Sequence, residues 1–393
     1  MSFRPLRAEL DLKNLRHNYR VLRDIIGFRQ FFCPMLKANA YGHGDVECAR
    51  ALLEEGANYF GVALIEEGVR LRERLSEAGI LIFQPFADKL SAEAAVTHRL
   101  TPVVSSWQGV HALESAVDSI KNAANISDFN IHLKFNTGMS RLGFPPSEAK
   151  KLADYFSKNP KLNLEGVCTH LLNGEDALRE DGRTREQLEI FSKIFEFFES
   201  DEIFPHVLNS SACLARFLQP ENSSLKFCGA RPGISLYGVK APVASLSSEL
   251  ESCYEKIELR PVMRVIGKVV HVQKLANGET VSYGGRFQAK RESTIGVVPV
   301  GYADGYMRRL SSKSNMICRG QRVPVVGTVC MDFTMVDLTD VDASVGDEVI
   351  VLGSQKLDGR SASITAQELA DLAGTNAYEI LTNFSARVPR VYV

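Results

Sequence analysis

The sequence predicts an α/β fold, namely a (β/α)₈ TIM-like barrel followed by a C-terminal mainly-β domain. Three observations predict it. Short apolar segments alternate with amphipathic helical patterns over the first two-thirds of the 393 residues. After Gly238 the pattern changes to strands punctuated by Gly, Asp and Asn. The chain is also long enough for two domains that each bury a core.

The predicted barrel strands are near-continuous apolar segments separated by helices, which is typical of a parallel sheet buried on both faces. Eight or nine such repeats favour a closed barrel, and a doubly wound open sheet is the competing arrangement. A helical face is formed by Leu15, Tyr19, Leu22 and Ile26. The strands are predicted at 8–12, 31–37, 59–64, 80–84, 101–104, 129–135, 164–170 and 206–209, with 235–237 as a further candidate. Further helices are predicted at 46–55, 66–75, 147–156 and 187–198.

The second domain follows a segment rich in Ser and Glu, 244–255, which we interpret as a linker. One short helix is predicted over 365–373, with Thr365 as its N-cap and Glu368 in the position of a capping-box partner. We place the barrel at residues 8–245 and the β-domain at 246–393, with 1–7 as a candidate addition to it. Strands are predicted at 262–272, 280–283, 294–300, 323–330, 334–338 and 348–352.

Charge and composition exclude several classes of partner. The 46 Lys and Arg residues balance 47 Asp and Glu residues, whereas nucleic acids and anionic membranes select a basic face. No apolar segment approaches the roughly 18 residues of a membrane helix, and the first residues lack the apolar region of a signal peptide. We therefore expect a cytoplasmic protein with no nucleic-acid or membrane partner.

The eight cysteines include no C-x-x-C pair, so the sequence predicts neither a metal site nor a disulfide framework. Cys33 and Cys168 lie within apolar segments, where a thiol behaves as a small hydrophobic group. We expect all eight, Cys228 included, to be reduced residues of the core.

Lys37 ends the apolar segment 31–36, at the carboxyl end of a predicted barrel strand, where active sites of barrels lie. A lysine there is costly to desolvate unless it is paired, deprotonated or used covalently. Burial lowers a lysine pKa, which suits Schiff-base chemistry. A side chain that simply extends into solvent is the alternative.

Three further loops carry candidate residues. Arg141, in the loop 134–144, suits bidentate binding of a carboxylate, and a surface arginine is the alternative. Ser210 and the backbone N–H groups of Gly233 and Ile234 lie in late loops of the predicted barrel, where phosphate is often held. Ordinary turn and cap residues are the alternative. Together with Lys37 these loops suit a phosphorylated aldehyde joined to lysine, which is pyridoxal 5′-phosphate.

The segment Met35 to Gly44, Met-Leu-Lys-Ala-Asn-Ala-Tyr-Gly-His-Gly, resembles the pyridoxal-phosphate attachment motif of the alanine racemase family. The resemblance implies a (β/α)₈ barrel plus a β-domain, in agreement with the pattern above. It also implies a head-to-tail homodimer whose active sites are completed by the partner's β-domain. The other matching segments are 136–143, 169–170, 209–210, 231–238, 282–284, 301–306, 330–332 and 378–379.

The resemblance assigns two catalytic bases. Lys37 holds the cofactor and acts on one face of the substrate, and Tyr283 of the partner subunit acts on the other. Racemisation needs this arrangement because one group removes Hα and another returns a proton from the opposite side. Lys37 is expected to take the proton from the D-isomer and Tyr283 from the L-isomer. Without its Ser-Tyr-Gly context, Tyr283 reads as an ordinary aromatic residue of a strand.

The resemblance places Arg231 opposite the pyridine nitrogen. Because a guanidinium can only donate, this nitrogen is expected to stay unprotonated. Related barrel decarboxylases carry a carboxylate there, so Arg231 argues against that class. His170 is implied to bond Arg231, Arg141 and the partner's Met331 to meet the substrate carboxylate, and Tyr302 to narrow the entrance. The residues implied to hold the phosphate are Tyr41, Ser210, Gly233, Ile234 and Tyr378.

Lys134 matches a lysine that is carbamylated in many members of the family, which we take as a hypothesis. Two residues depart from the commonest pattern. Asn136 stands where aspartate is usual, and Phe333 stands where a polar residue is usual. Neither is a proposed base, so the departures bear on carbamylation and substrate affinity.

The expected function is interconversion of L- and D-alanine by a two-base mechanism, supplying D-alanine for peptidoglycan. A racemase of serine or another amino acid is the alternative within the same class. A non-catalytic pyridoxal-phosphate-binding protein is the alternative from a different class. Proteins of that kind lack a second domain, and this chain has about 150 further residues, a normal domain length.

Overall fold

The structure is a computed structural model that describes residues 3–86, 88–124, 129–159, 161–219 and 229–393. The chain forms two compact units. The barrel unit comprises Arg16–Ala40 and Asp45–Leu259, and the β unit comprises Met1–Leu15, Tyr41–Gly44 and Arg260–Val393. The division into domains at 245/246 stays a prediction.

The helices and strands follow the chain in an order that alternates βα in the barrel unit and is mainly β afterwards. The strands are β1 (Leu6–Leu10), β2 (Tyr59–Val62), β3 (Gly79–Ile82), β4 (Thr101–Val104), β5 (Asn130–Lys134), β6 (Asn163–Cys168), β7 (Phe204–Leu208), β8 (Gly229–Ala230), β9 (Met263–Lys268), β10 (His271–Leu275), β11 (Thr280–Val281), β12 (Phe287–Gln288), β13 (Ser293–Val298), β14 (Asn315–Cys318), β15 (Gln321–Pro324), β16 (Thr334–Asp337), β17 (Glu348–Leu357), β18 (Arg360–Ile364) and β19 (Arg390–Tyr392). The right-handed α-helices are α1 (Leu12–Ile26), α2 (Asp45–Leu53), α3 (Ile65–Arg72), α4 (Lys89–Thr97), α5 (Trp107–Ala124), α6 (Ala149–Phe156), α7 (Arg183–Phe195), α8 (Ser210–Leu218), α9 (Ser248–Glu255), α10 (Ala366–Ala373) and α11 (Ala377–Asn383).

The barrel unit is a parallel sheet closed by the segment 31–36. Strands β2 to β8 pair in chain order, each parallel to the next. Phe32 forms a parallel bridge with Ala230 of β8, and Met35 forms one with Gly61 of β2. The segment therefore lies between the first and last strands as the eighth member, and the predicted (β/α)₈ barrel is confirmed.

The strand predicted at 8–12 does not belong to the barrel. It is β1, which lies between β9 and β19 in a sheet of the β unit. Its side chains alternate between buried and half-buried, from Leu6 to Leu10, and Arg7 and Glu9 pair on the outer face. This alternation is typical of a sheet with one buried face, whereas barrel strands are apolar throughout.

Two further segments differ from the prediction. Residues 235–237 lie in a 3₁₀ helix, Ile234–Tyr237, and the strand in this region is β8, which has only two residues. The predicted linker contains helix α9, whose N-cap Ser247 accepts a hydrogen bond from the N–H of Leu250 across 3.3 Å. Ser and Glu are favourable at a helix start, so the composition that suggested a linker also suits this helix.

The β unit contains two main sheets and a two-stranded ribbon. The first sheet has the order β15-β14-β17-β9-β1-β19, with β18 paired to β17, and the second has the order β10-β13-β16. The sequence pattern missed β12, β14, β18 and β19. The strand predicted at 323–330 ends at Pro324, and Gly327 beyond it has φ +74°. The predicted cap Thr365 accepts a hydrogen bond from the N–H of Glu368 across 3.0 Å.

The prediction of reduced core cysteines is confirmed for Cys33, Cys48, Cys168, Cys213 and Cys318, which are buried free thiols. It is wrong for Cys253 and Cys330, which are free thiols but only half-buried. Cys33 and Cys168 are fully buried in a cluster with Phe31, Leu81 and Val103. Cys228 lies outside the described residues. Within the described ranges, no helix is long and apolar enough to cross a membrane. The same residues contain no group of three or more His, Cys, Asp or Glu that could hold a metal ion.

Candidate active site

Lys37 lies where the segment 31–36 leaves the barrel. The residues that follow it form one turn of left-handed helix, in which Ala38, Asn39, Ala40 and Tyr41 all have φ near +54°. The left-handed conformation costs an L-residue roughly 1–2 kcal/mol. Strain of this kind persists only where the surroundings hold it, and it occurs preferentially at functional sites.

Glu67 of helix α3 holds the start of this turn. One carboxylate oxygen accepts a hydrogen bond from the N–H of Ala38 across 2.6 Å. The other accepts from the N–H groups of Ala63 and Leu64, at 2.9 and 3.1 Å. A single carboxylate thus ties the end of β2 and the start of α3 to the residue after Lys37.

The surroundings of Lys37 lower its pKa. Desolvation is the main cause, and the charges of Arg141 and Arg231 add to it, while Glu67 acts in the opposite direction. Lys37 itself remains accessible to solvent. An accessible lysine with a lowered pKa is a good nucleophile toward an aldehyde.

Lys134 ends β5 and is almost fully buried, with 7% of its surface exposed. Desolvation lowers its pKa most, Cys168 acts in the opposite direction, and the charges of Arg231, Arg141 and Lys37 lower it further. The basic side chains of Lys37, Lys134, Arg141 and Arg231 therefore interact electrostatically at this end of the barrel unit.

Arg231 follows β8 and is buried. Its guanidinium donates to the carbonyl oxygens of His206 and Thr169, each across 2.6 Å. It also donates to Nδ1 of His206 at 2.6 Å, and Nδ1 of His170 lies 3.4 Å away. Burial lowers the pKa of Arg231 and, together with the charge of Arg231, holds the pKa of His170 well below its usual value.

Arg141 is exposed on a loop that leaves β5 and returns to it. Asn136 and Phe144 close the loop through a backbone hydrogen bond of 2.9 Å, and the side chain of Asn136 accepts the N–H groups of Gly138 and Ser140. A Cβ on Gly143 would lie 2.5 Å from the Asn136 nitrogen, so the loop requires glycine there. The side-chain oxygen of Asn136 is thus sufficient to close this loop. The carboxylate of the aspartate that is usual at this position is not needed for the closure.

Ser210, Gly233 and Ile234 come together at two helix starts. Ser210 begins α8, and its hydroxyl accepts the N–H of Gly233 across 3.0 Å. The N–H of Ser235 also donates to this hydroxyl, across 3.4 Å, and the N–H of Ile234 is a helix-start donor that has no partner within the turn. Among the described residues, the fully buried hydroxyl of Ser235 has no hydrogen-bond partner. These donors fit a phosphate group, and with the cationic side chains around Lys37 they fit a phosphorylated aldehyde.

The remaining predicted residues lie in the β unit. Tyr283 is 73% exposed, and its carbonyl accepts a hydrogen bond from the hydroxyl of Thr328 across 3.0 Å. Tyr302 and Met331 are also exposed and lie close together, because the N–H of Tyr302 bonds the carbonyl of Cys330 at 3.0 Å. Three large exposed side chains on one set of connected loops form a surface available to a ligand or partner.

Tyr41 and Tyr378 form a second group in the β unit, with ring centroids 6.0 Å apart. Burial raises the pKa of both phenols, so both keep their protons and can donate hydrogen bonds at neutral pH.

The pattern of the sequence missed four residues that the structure ties to these groups. Glu67 is the third residue of a helix after a strand, which is a capping position and the only sequence signal for it. His132, Glu165 and His206 are each the third residue of a barrel strand, and the residues on either side of each are apolar. A polar residue inside such a strand is a detectable signal, but the pattern does not say what it contacts.

Comparison with known proteins places both parts of the chain in one family. The profile described as alanine racemase, N-terminal domain, matches residues 10–241, and the profile described as alanine racemase, C-terminal domain, matches residues 262–392. The chain belongs to the alanine racemase family. It is therefore an amino-acid racemase, an isomerase of a family that depends on pyridoxal 5′-phosphate.

Individual relatives agree with this assignment over their full lengths. The alanine racemase of Sorangium cellulosum is 38% identical, covering 99% of both chains, and that of Clostridium novyi is 35% identical, covering 99% of this chain and 96% of the relative. Among solved structures, alanine racemase from Clostridium difficile 630 has a TM-score of 0.85 at 29% identity, covering 100% of this chain and 97% of that one. The enzyme from Bartonella henselae, solved with covalently bound pyridoxal phosphate, has a TM-score of 0.82 at 28% identity, covering 99% of each chain.

Proposed function

We propose that this racemase interconverts L- and D-alanine, with pyridoxal 5′-phosphate held covalently by Lys37. The observation that carries the proposal is the position of Lys37. It lies at the carboxyl end of a barrel strand. Its pKa is lowered by desolvation and by the charges of Arg141 and Arg231. The names of the relatives supply alanine as the substrate.

The phosphate-binding group supports the choice of cofactor. We assign the phosphate to Ser210, the N–H groups of Gly233 and Ile234, and the hydroxyls of Tyr41 and Tyr378. Hydroxyls and helix-start N–H groups are suitable donors to a phosphate oxygen. When bound, the cofactor supplies an electron-withdrawing ring that stabilises negative charge at the substrate Cα.

Arg231 is proposed to donate to the pyridine nitrogen of the cofactor. A guanidinium has no acceptor and stays charged, so this nitrogen is left without a proton. His170 accepts from Arg231 through Nδ1, which leaves its Nε2 proton to donate elsewhere. We propose that this proton orients the catalytic phenol of Tyr283.

Lys37 and Tyr283 are the proposed pair of bases. Each removes Hα from one enantiomer and the other returns a proton to the opposite face of Cα, because inversion requires both faces. We assign the D-isomer to Lys37 and the L-isomer to Tyr283. The two bases differ chemically, so their loss is expected to affect the two directions differently.

The site is proposed to be shared between two copies of the chain. Lys37, Lys134, Arg141 and Arg231 belong to the barrel unit, whereas the exposed Tyr283, Tyr302 and Met331 belong to the β unit. A symmetric homodimer brings the β unit of one copy to the barrel unit of the other in two equivalent sites. This proposal explains why three large side chains remain exposed in a single chain.

Arg141 and the partner's Met331 are proposed to meet the substrate carboxylate, and Tyr302 to narrow the entrance. We also propose that Lys134 is carbamylated. Its lowered pKa favours the neutral amine more than in free lysine. The nitrogen of that neutral amine forms a bond to CO₂ and loses a proton, which gives an anionic carbamate beside the surrounding cations. Carbon-13 NMR after incubation with labelled bicarbonate tests this, and a free Lys134 amine would contradict it.

The proposal is tested by incubating the cofactor-loaded protein separately with L-alanine, L-serine and L-lysine and separating the products by chirality. D-alanine formed faster than the other D-isomers supports it. Faster turnover of serine or lysine would assign another amino-acid substrate, and no product from any of them would indicate a non-catalytic binding protein. We also propose that the protein supplies D-alanine for peptidoglycan and that it is located in the cytoplasm. The supply of D-alanine is tested by depleting this protein in cells and asking whether added D-alanine restores growth.

A further inference from the structure

A continuous chain of four polar side chains runs through the barrel unit from Arg231 to Glu165. Nη1 of Arg231 lies 2.6 Å from Nδ1 of His206, and Nε2 of His206 lies 2.7 Å from Nδ1 of His132. Nε2 of His132 lies 3.2 Å from a carboxylate oxygen of Glu165. Both histidines are fully buried.

Only one arrangement of protons satisfies this chain. Arg231 can only donate, so Nδ1 of His206 accepts and the His206 proton is on Nε2. That proton is donated to Nδ1 of His132, which places the His132 proton on Nε2, pointing to Glu165. Both rings are therefore neutral, and every hydrogen bond points from the guanidinium toward the carboxylate.

The electrostatics agree with this arrangement. Burial, aided by the charge of Arg231, holds the pKa of His206 well below its usual value, and burial lowers the pKa of His132. Neutral imidazoles are the form that the directions of the hydrogen bonds require.

Arg231 is a buried cation without an adjacent anion. Among the described residues, no carboxylate lies within ion-pair distance of its guanidinium; its polar partners are two carbonyls and two imidazoles. Burying an unpaired charge is costly, so its balance must come from further away. The hydrogen-bond chain leads to one carboxylate, that of Glu165.

Glu165 is held as a carboxylate. Its other oxygen accepts the hydroxyl of Tyr59 across 2.5 Å and the side-chain amide of Asn130 across 3.2 Å. Desolvation alone would raise its pKa, but the hydrogen bonds from His132, Tyr59 and Asn130 outweigh it and the pKa is lowered. The end of the chain is thus a negative charge with three donors.

The fold reserves space for the two rings. A Cβ on Gly166 would lie 2.2 Å from Nδ1 of His132, and a Cβ on Gly229 would lie 2.7 Å from Cβ of His206. The Phe31 ring packs against both imidazoles, with centroid distances of 5.5 and 4.7 Å. The rings are therefore fixed in position, which a directional chain requires.

We propose that Glu165 is the counter-ion of Arg231, acting through His132 and His206, and that it is a positioning residue for the guanidinium. Each imidazole polarised by the carboxylate becomes a stronger acceptor for the next donor, so the charge of Glu165 is felt at Arg231. The consequence for the cofactor, a guanidinium held toward the pyridine nitrogen, rests on the proposed function. The proposed pairing of Glu165 with Arg231 through the two histidines does not depend on that function.

The test is nitrogen-15 and proton NMR of the full-length, cofactor-loaded protein labelled at histidine. In the unmodified protein we expect two neutral imidazoles with protons on Nε2, both at low field. In Glu165→Gln, which removes the charge and keeps the shape, both proton signals are expected to move upfield. His206 does not touch Glu165, so its shift reports transmission along the chain.

Glu165→Asp, which keeps the charge, is expected to restore the signals partly, and Glu202→Gln, on an exposed loop before β7, to leave them unchanged. The dissociation constant for pyridoxal 5′-phosphate is expected to rise about two- to thirtyfold in Glu165→Gln alone. An unmoved His206 signal in that variant would overturn the proposal. A cationic His206, or a proton on its Nδ1, in the unmodified protein would overturn it even if the variant failed to fold. Absent racemisation with the expected signals would contradict only the proposed function.

Discussion

The carboxylate of Glu67 accepts a hydrogen bond from the backbone N–H of Ala38 across 2.6 Å. Ala38 is the first of four consecutive left-handed residues and directly follows Lys37. The contact therefore offsets part of the conformational cost of the turn at the point where the direction of the Lys37 side chain is set. Glu67 is also the acidic group whose charge raises the pKa of Lys37 against the surrounding cations.

Glu67→Gln is expected to loosen the turn. The amide can accept the N–H of Ala38 or those of Ala63 and Leu64, but its nitrogen cannot accept at all. We expect the free energy of unfolding to fall by about 1–2 kcal/mol and cofactor binding to weaken. Thermal unfolding and a cofactor titration measure the two effects. The matched control is Glu66→Gln, an exposed neighbour, and equal effects of both substitutions would contradict the role of Glu67.

The lowered pKa of Lys37 predicts how cofactor capture depends on pH. A pKa below 10.5 means that the neutral amine becomes available at lower pH than in free lysine, so the rate of capture should rise with pH through a midpoint below 10.5. Removing a cation by Arg141→Gln should raise this midpoint, because the charge of Arg141 disfavours the ammonium. Absorbance-monitored capture by cofactor-free protein measures it. A midpoint at or above that of free lysine would contradict the electrostatic account.

Tyr283→Phe is expected to separate the two directions of the reaction. The variant keeps Lys37 and the cofactor but lacks the phenol, so loss of the α-proton from L-alanine should slow far more than loss from D-alanine. A missing general base typically costs about 10²- to 10⁴-fold. Exchange of each enantiomer is followed separately, with Tyr155→Phe on helix α6 as a control. Equal losses from both enantiomers would count against the assignment of faces.

The shared site predicts complementation between two inactive variants. When Lys37→Ala and Tyr283→Phe chains are mixed and their subunits allowed to exchange, half of the dimers should be mixed, and each mixed dimer has one intact site. The expected activity on L-alanine is about a quarter of that of the unmodified protein. Mixed dimers seen by mass spectrometry without recovered activity would contradict the shared site.

The barrel could be predicted because buried parallel strands have a simple sequence pattern. Continuous apolar segments indicated every strand from β2 to β7, although no helix was predicted in the two stretches between β3 and β5. Strand β8 has two residues, too short for any periodic signal, and β1 has the alternation of the other unit. The strands that pair with β1, namely β9 and β19, lie more than 240 residues away from it in the sequence, which a local pattern cannot reveal.

Residues of the candidate site could be predicted only where a charged or hydrogen-bonding side chain follows the end of a strand. Lys37 stands out because a charged residue next to an apolar segment needs an explanation. Arg141 stands out on a glycine-containing loop after a predicted strand, and the role of Arg231 comes only from the family resemblance. Glu67 does not stand out, since acidic residues are ordinary in helices, and Glu165 stands out only as a polar residue between apolar ones, which does not say what it contacts. Their importance comes from what they contact, and those contacts join residues that are far apart in sequence. The left-handed turn likewise has no signal, because alanine has no preference for it.

The most direct test of the central claim is proton NMR of L-alanine in D₂O with the cofactor-loaded protein, followed by chiral separation. We predict loss of the α-proton signal together with D-alanine that carries deuterium at Cα, because the proton is returned from a group that exchanges with solvent. Unchanged L-alanine and no D-alanine, with the cofactor shown to be bound, would contradict the account.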